Sequence, residues 1–391
     1  MNAVGIDVSK GKSTVTVLKP FGEVVASPFD VVHNDSDLHQ LVELIKGLPG
    51  ESKVIMEYTG TYFEPIAQFL HNNGIFVSVV NALLVHDYGG NSLRKVKTDK
   101  KDALKLASYA LDRWTELEEY VPADEQCKTL KLLNRQYNQS VKIQTMIKNN
   151  LISLTDSVFP GVNKLFTSPE RQSDGHEKWV DFLKAFPHKD CVAKLYLSSF
   201  KAKYKSWCSK NKYNYTDSKA EEIHAYARSV IAVLPLNDSI KLLVTQAVTQ
   251  LNTILETVSS IRKEMDRIAS SLPEYETVMA MYGVGKVYGP QLMAEIGDVP
   301  RFPRRSSIVG FAPFQKQACH KLAFAGLDAP PYQSGQLDIA SRHISKRGSA
   351  ALRKVLFQIT EIFILNKPED EPVYQFIDKK RSEDKHYYSY R

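Results

Sequence analysis

Residues 3–18, AVGIDVSKGKSTVTVL, hold two apolar runs that meet at a glycine. AVGIDV reads as a strand of small and β-branched side chains. Gly11 offers a turn, and STVTVL alternates polar with apolar residues as a second strand does. An acid, Asp7, stands near the end of the first run, where a carboxylate turned into a core would be expensive.

Outward from this hairpin the pattern continues. GEVVAS and FDVV extend a meander, and Ser36 followed by DLHQLVELIKGL reads as a capped amphipathic helix that ends near Gly47 and Pro49. KVIMEYTG is another strand, YFEPIAQFLHNNG a helix closed by glycine, and IFVSVV a further strand. Three strands in series, then alternating helix and strand, is the order of a ribonuclease-H-like fold. An α/β domain is therefore expected over residues 1–115.

Glu57, in IMEYTG, repeats the setting of Asp7: an acid directly after an apolar strand. Each alone is often a turn or capping residue. KVKTDKKDA, Lys95 to Ala103, adds Asp99 and Asp102, three residues apart and so on one face of a helix, within a run of Lys95, Lys97, Lys100 and Lys101. The ordinary reading of such a run is a solvated helix face. The sharper reading joins the four acids into one site. Carboxylates crowded into a small volume need divalent cations, and an all-oxygen donor set selects Mg²⁺ or Mn²⁺. Two such ions about 4 Å apart serve phosphoryl transfer, with the lysines turned to phosphates.

Residues 116–272 are expected to be mainly helical. Ile240, Val244, Ala247, Leu251, Ile254, Val258, Ile261, Met265, Ile268 and Leu272 alternate steps of four and three, the spacing of a coiled-coil seam. Its partner would be the helix over 126–154 or a second copy of the chain. A lobe inserted at 160–235 mixes Lys201, Lys203, Lys205, Lys210 and Lys212 with Phe200, Tyr204, Trp207, Tyr213 and Tyr215. That mixture suits single-stranded nucleic acid or an irregular surface lobe alike.

A third region is expected over 273–391. MYGVGKVYGPQLMAEIGDV places Gly283, Gly285, Lys286 and Gly289 between two short helical stretches, a helix-hairpin-helix-like element whose backbone amides could face a phosphate. Ser334 follows a double proline in APPYQSG, and Arg342, His343, Lys346, Arg347 and Arg353 follow it closely, as a phosphate-contacting cluster would. A lone serine usually caps a turn, and it is a weak nucleophile unless a base or metal activates it.

The totals agree with a nucleic-acid enzyme without requiring one. The chain has 391 residues, 43% of them hydrophobic, with 51 basic against 44 acidic residues and a formal net charge of +7. This length predicts two or three domains, and the charge is a mild basic excess. The scattered Cys127, Cys191, Cys208 and Cys319 fit neither a zinc site nor a disulfide framework and point to a reducing cytoplasm. No apolar run predicts a membrane span, and MNAVGIDVSK does not read as a secretory leader.

GIDVSK, MEYTG and KTDKKDA resemble the N-terminal, Holliday-junction-resolvase-like nuclease domain of the DEDD transposases of bridge-RNA-guided insertion sequences. YGVGKVYGPQLMAEIGD, AFAGLDAPPYQSG and HISKRGSAALRK resemble that family's C-terminal transposase domain, in the family's order. The resemblance implies that Asp7, Glu57, Asp99 and Asp102 bind metal, and that Ser334 is a nucleophile transiently linked to a DNA end. It also implies a structured bridge RNA that pairs with donor and target DNA, a dimer or tetramer, and a bacterial or archaeal cytoplasm. Val309–Lys321 and the ending KHYYSYR depart from the family pattern. Two alternatives stay open beside the guided recombinase: a metal-dependent junction endonuclease in which Ser334 is structural, and a copy that binds nucleic acid without recombining it.

Overall fold

The computed structural model describes residues 1–58, 60–88, 98–297, 325, 327, 333–334, 337–338, 344, 346 and 348–383. The chain divides into two compact units, Met1–Pro122 and Ala123–Arg391.

In the first unit, β1 (Asn2–Val8), β2 (Lys12–Lys19) and β3 (Glu23–Val32) form an antiparallel meander. β4 (Ser52–Glu57) and β5 (Phe76–Val80) join β1 in parallel, giving the order β3-β2-β1-β4-β5. This is the ribonuclease-H-like order expected from the sequence. GEVVAS and FDVV belong to one strand, β3, which runs through Pro28. The missing amide is tolerated because β3 is an edge strand whose register against β2 shifts between Val15 and Val17.

Alternation along the strands divides the core into two layers. Val4, Ile6, Val54 and Met56 pack with Leu41, Val42, Ile66 and Leu70 of α1 (Asp35–Lys46) and α2 (Glu64–Asn72). Ala3 and Ile55, on the opposite face, pack with Val85 of α3 (Ala82–Tyr88) and with Leu106, Ala107 and Ala110 of α4 (Asp99–Asp112). The cap of α1 is Asn34 rather than Ser36: the Asn34 side chain, on an extended backbone, accepts the Asp37 amide at 2.8 Å, and Ser36 already lies inside the helix.

The second unit is helical: α5 (Glu125–Val158), α6 (Lys178–Ala185), α7 (Asp190–Ala193), α8 (Leu197–Lys210), α9 (Asp217–Ser229), α10 (Asp238–Ala269), α11 (Tyr275–Met279), α12 (Tyr288–Ile296), α13 (Ala350–Asn366) and α14 (Pro372–Ser382). A short hairpin, β6 (Gln333–Ser334) and β7 (Leu337–Asp338), precedes α13. α5 and α10 lie along each other. Leu151 and Val158 share a core with Ile240, Val244 and Leu251, while Leu130 shares one with Met265 and Ile268, so the two helices run antiparallel.

Two expectations change here. The boundary drawn at 272/273 does not separate compact bodies, because Leu130, Met265 and Ile268 pack with Leu292, Leu352 and Val355 of the C-terminal helices in one core. The 160–235 lobe is neither irregular nor an aromatic platform open to bases. Phe200 and Tyr204 are fully buried, and Trp207 stacks with Tyr204 and Tyr213 at centroid distances of 5.7 and 5.3 Å. The aromatic spacing in LSSFKAKYKSWC is the inner face of α8, and the lysines between are its outer face.

Candidate active site

Asp7 and Glu57 are brought together by strand register. Ile6 pairs with Met56 across the parallel ladder, and one step further places Asp7 beside Glu57 at the carboxyl ends of β1 and β4. Neighbouring strands lie about 4.8 Å apart. Both acids sit two residues beyond positions whose side faces α4: Asp7 follows Gly5, and Glu57 follows Ile55. They therefore share that face, and both are half-buried.

α4 brings the other two acids over the same edge. Its start is fixed by Thr98, whose hydroxyl accepts the Lys101 amide, and acids in the first turn complement the helix dipole. Its buried stripe is Ala103, Leu106, Ala107 and Ala110. Ala3 packs with Ala107 and Ala110, whereas Gly5 lies directly under the Ala103 carbonyl and the Ala107 amide. The helix thus runs antiparallel to β1, and its first turn overhangs the Asp7 end. Asp102 extends the stripe half-buried, Asp99 is exposed one turn earlier, and Lys100 and Lys101 are exposed. Gly5 sets this close approach. A Cβ there would strike the Ala103 carbonyl and lie 2.6 Å from the Ala107 nitrogen.

A fifth acid belongs to the row. Asp7 is in register with Thr14, and Thr14 with Asp30 of β3. The Thr14 hydroxyl donates to Asp30 at 2.9 Å, and the Lys12 ammonium does so at 3.1 Å. Those two bonds, with Lys100 adding attraction from α4, hold the Asp30 carboxyl below the usual carboxylate range. In FDVV an acid on an exposed edge strand is unremarkable, so only the pairing register could have singled it out.

The donor set fits divalent metal in kind: four carboxylates carried by β1, β4 and the first turn of α4 at one edge of the sheet, with oxygen donors only. Among the described residues no three Asp, Glu, His or Cys side chains already stand at ligand spacing.

The remaining candidates lie in the second unit or outside the described residues. Ser334 ends β6, with its backbone paired to Leu337. Gly283 has φ +76°, and a Cβ there would meet Ile359 and Phe363 of α13 at 3.5 Å. Gly285 and Lys286 are exposed before α12. Lys346 is exposed, and Arg353 in α13 donates to the Ala325 carbonyl at 2.7 Å. Lys95, Lys97, Arg342, His343 and Arg347, together with the departures at 309–321 and 385–391, lie outside the described residues.

Comparison with known proteins finds transposase families at both ends of the chain. Residues 4–160 match the DEDD family of IS110 elements, described as "Transposase", and residues 315–375 match "Transposase IS116/IS110/IS902 family". The "Insertion element IS116 uncharacterized 44.8 kDa protein" of Streptomyces clavuligerus is 23% identical over 81% of this chain and 77% of its own length. The "Pilin gene-inverting protein" of Moraxella bovis is 28% identical over 32% of this chain and 39% of its own length, and that of Moraxella lacunata is 27% identical over the same shares. A solved structure, that of RuvC from Thermus thermophilus, aligns over 31% of this chain and 100% of its own at 11% identity and a TM-score of 0.23. The strand order carries the fold assignment without it. No helix among the described residues is long and apolar enough to cross a membrane.

Proposed function

Carrying both transposase domains of the IS116/IS110/IS902 family, this chain is a DNA transposase, and we infer that it cuts and rejoins DNA through a metal-assisted serine nucleophile guided by a structured bridge RNA. The observation that carries the metal half is the register of Asp7 with Glu57 beneath the first turn of α4. Asp7, Glu57, Asp99 and Asp102 are the ligands. Mg²⁺ or Mn²⁺ held there supplies charge to polarise the phosphate and stabilise the leaving oxygen.

Ser334 is the nucleophile. Its Oγ forms a bond to phosphorus as the bond from phosphorus to the leaving strand oxygen breaks, and the serine proton passes to solvent or a nearby base. The hydroxyl of the partner strand then bonds to the phosphorus of this phosphoserine ester as the bond from phosphorus to Ser334 Oγ breaks, and the attacking hydroxyl's proton is balanced by reprotonation of the serine. Lys95, Lys97, Lys100 and Lys101 contact the nucleic-acid backbone. Gly283, Gly285, Lys286, Arg342, His343, Lys346, Arg347 and Arg353 do so from the C-terminal region. Sequence choice is delegated to RNA pairing with donor and target DNA. The inversion named for the Moraxella relatives is the same class of reaction, DNA cut and rejoined. Synapsis of two DNA sites requires a dimer or tetramer, working in the cytoplasm.

The test is recombination on the flanking element DNA with Mg²⁺, after recovery of the RNA that co-purifies. Ser334→Ala and Asp7→Asn should each remove the joined product, with Ser334→Ala also removing the covalent protein–DNA species. Cleavage that survives Ser334→Ala would instead establish a junction endonuclease. Failure to enrich any discrete RNA would exclude guidance.

A further inference from the structure

α5 carries a charge pattern that neither the metal site nor the core explains. Between Gln126 and Thr155 it has no acid, yet it holds Lys128, Lys131, Arg135, Lys142 and Lys148. Lys128, Lys131, Arg135, Asn138 and Lys142 follow steps of three and four, so they form one column along the helix, beside the buried column of Cys127, Leu130 and Asn134. Arg135 and Lys142 are exposed and make no hydrogen bond or ion pair among the described residues. Arg135 and Lys142, two turns apart, present their charges to the same side of α5.

The gap in the column at Asn138 is filled from another helix. Lys354 of α13 donates to the Asn138 side-chain oxygen at 2.8 Å, which seats its ammonium between Arg135 and Lys142. That seat is built. Asn138 donates to the Asn134 carbonyl at 2.9 Å and to its side chain at 3.0 Å, Asn134 donates to Glu295 of α12 at 2.9 Å, and Glu295 accepts Ser349 at 2.9 Å. Ser349 caps α13. Asn134 and Glu295 are buried, so a fixed polar relay positions the exposed lysine. Partial burial, then the nearby charge of Lys142, holds the Lys354 ammonium below the usual lysine range.

We propose that Lys128, Lys131, Arg135 and Lys142 of α5, with Lys354 of α13, form a track for the phosphate backbone of duplex DNA. From Lys128 to Lys142 the column spans about 21 Å at 1.5 Å per residue, the axial length of about six base pairs. A straight row of cations with no aromatic in the column suits a regular backbone rather than splayed bases. DNA is the occupant because the chain is a DNA transposase, and the assignment rests on that reading. The track lies on the helix that anchors α13, directly after the segment bearing Ser334.

The experiment measures binding of the full chain, in an Asp7→Asn background that prevents cutting, to an element-end DNA duplex across a KCl series. Each phosphate contact contributes about 0.9 to the slope of log K against log salt. Arg135→Gln with Lys142→Gln should lower the slope by about 1.8, so that the deficit in affinity grows about tenfold as KCl falls from about 200 to about 50 mM. Asn138→Leu, which unseats Lys354 without changing charge, should lower it by about one more. Lys46→Gln with Lys379→Gln removes the same charge elsewhere and should leave the slope unchanged. An unchanged slope in the folded α5 variant, or an equal loss in the Lys46 and Lys379 control, would overturn the track. Loss of binding to an RNA hairpin with duplex DNA binding intact would overturn the DNA assignment. Because none of these readouts needs catalysis, failure of the Ser334 mechanism would show separately as lost product with the slope preserved.

Discussion

At Gly5 a missing side chain decides where four others can go. The first turn of α4 reaches the Asp7 edge only because the Ala103 carbonyl can rest on the bare backbone of β1. Gly5→Ala should therefore lower the unfolding free energy by about 2–4 kcal/mol, as overpacking in a dense core does. It should also cut recombination more steeply than its stability loss accounts for, because Asp99 and Asp102 move with the helix. Thermal unfolding and strand-joining rate, measured on the same preparation, separate the two. Activity that merely tracks the folded fraction would show that α4 does not position the acids. Asp7 and Glu57 were legible in the sequence because an acid closing an apolar strand is anomalous. Asp30 was not, since its place beside Asp7 comes through Thr14, by a pairing register that the residues around it do not encode.

Helix periodicity foretold that α10 buries one long face, and the structure shows which partner within the chain it lies against. Val248, Asn252 and Leu255 are buried along with Ile240, Val244, Ala247, Leu251, Met265 and Ile268, while Ile254, Val258 and Ile261 are half-buried, so the face is wider than a two-position seam and not confined to it. Leu251, fully buried where α10 meets the lobe, should cost about 2–5 kcal/mol when cut to Ala, measured by urea unfolding. A cost near zero would mean that this face is not closed by the chain itself. On α6 the lobe hides a lysine, Lys178. Lys178 donates to the Asn214 carbonyl at 2.7 Å among Phe166, Tyr204 and Tyr213, and burial holds its ammonium below the usual lysine range. A lysine depressed on folding is a burden while charged in the native state, and that burden lifts as pH rises through the folded value toward the unfolded one. The melting temperature of the native chain minus that of Lys178→Met should therefore increase on the alkaline side of neutrality. The buried tyrosines titrate in both proteins and cancel in the difference. A flat difference would place Lys178 in contact with water.

On the scale of the whole chain, the sequence showed where β alternation gives way to helical periodicity, but not how the helices share cores. The 272/273 boundary failed because Pro273 interrupts a helix without interrupting packing: Leu130, Met265 and Leu352 lie far apart in sequence and close one core. The first boundary shows the same physics at smaller range. Residue 115 is where the periodicity of α4 fades, yet the chain continues to serve the sheet for several residues. The Tyr120 amide donates to the Val77 carbonyl at 2.6 Å, its ring meets Phe63 and His71 edge-on, and Leu117 packs against the layer beneath α4. All members of both layers of this unit fall at or before Tyr120. A fragment of residues 1–122 should fold alone with one cooperative urea transition, being of ordinary domain size with its cores closed. A fragment of residues 1–115 lacks the Leu117 and Tyr120 contacts and should be less stable by about 2–4 kcal/mol. Equal midpoints would mean that 116–122 only trail across the surface. An unfolded 1–122 fragment would mean that the sheet depends on the helical unit for its stability.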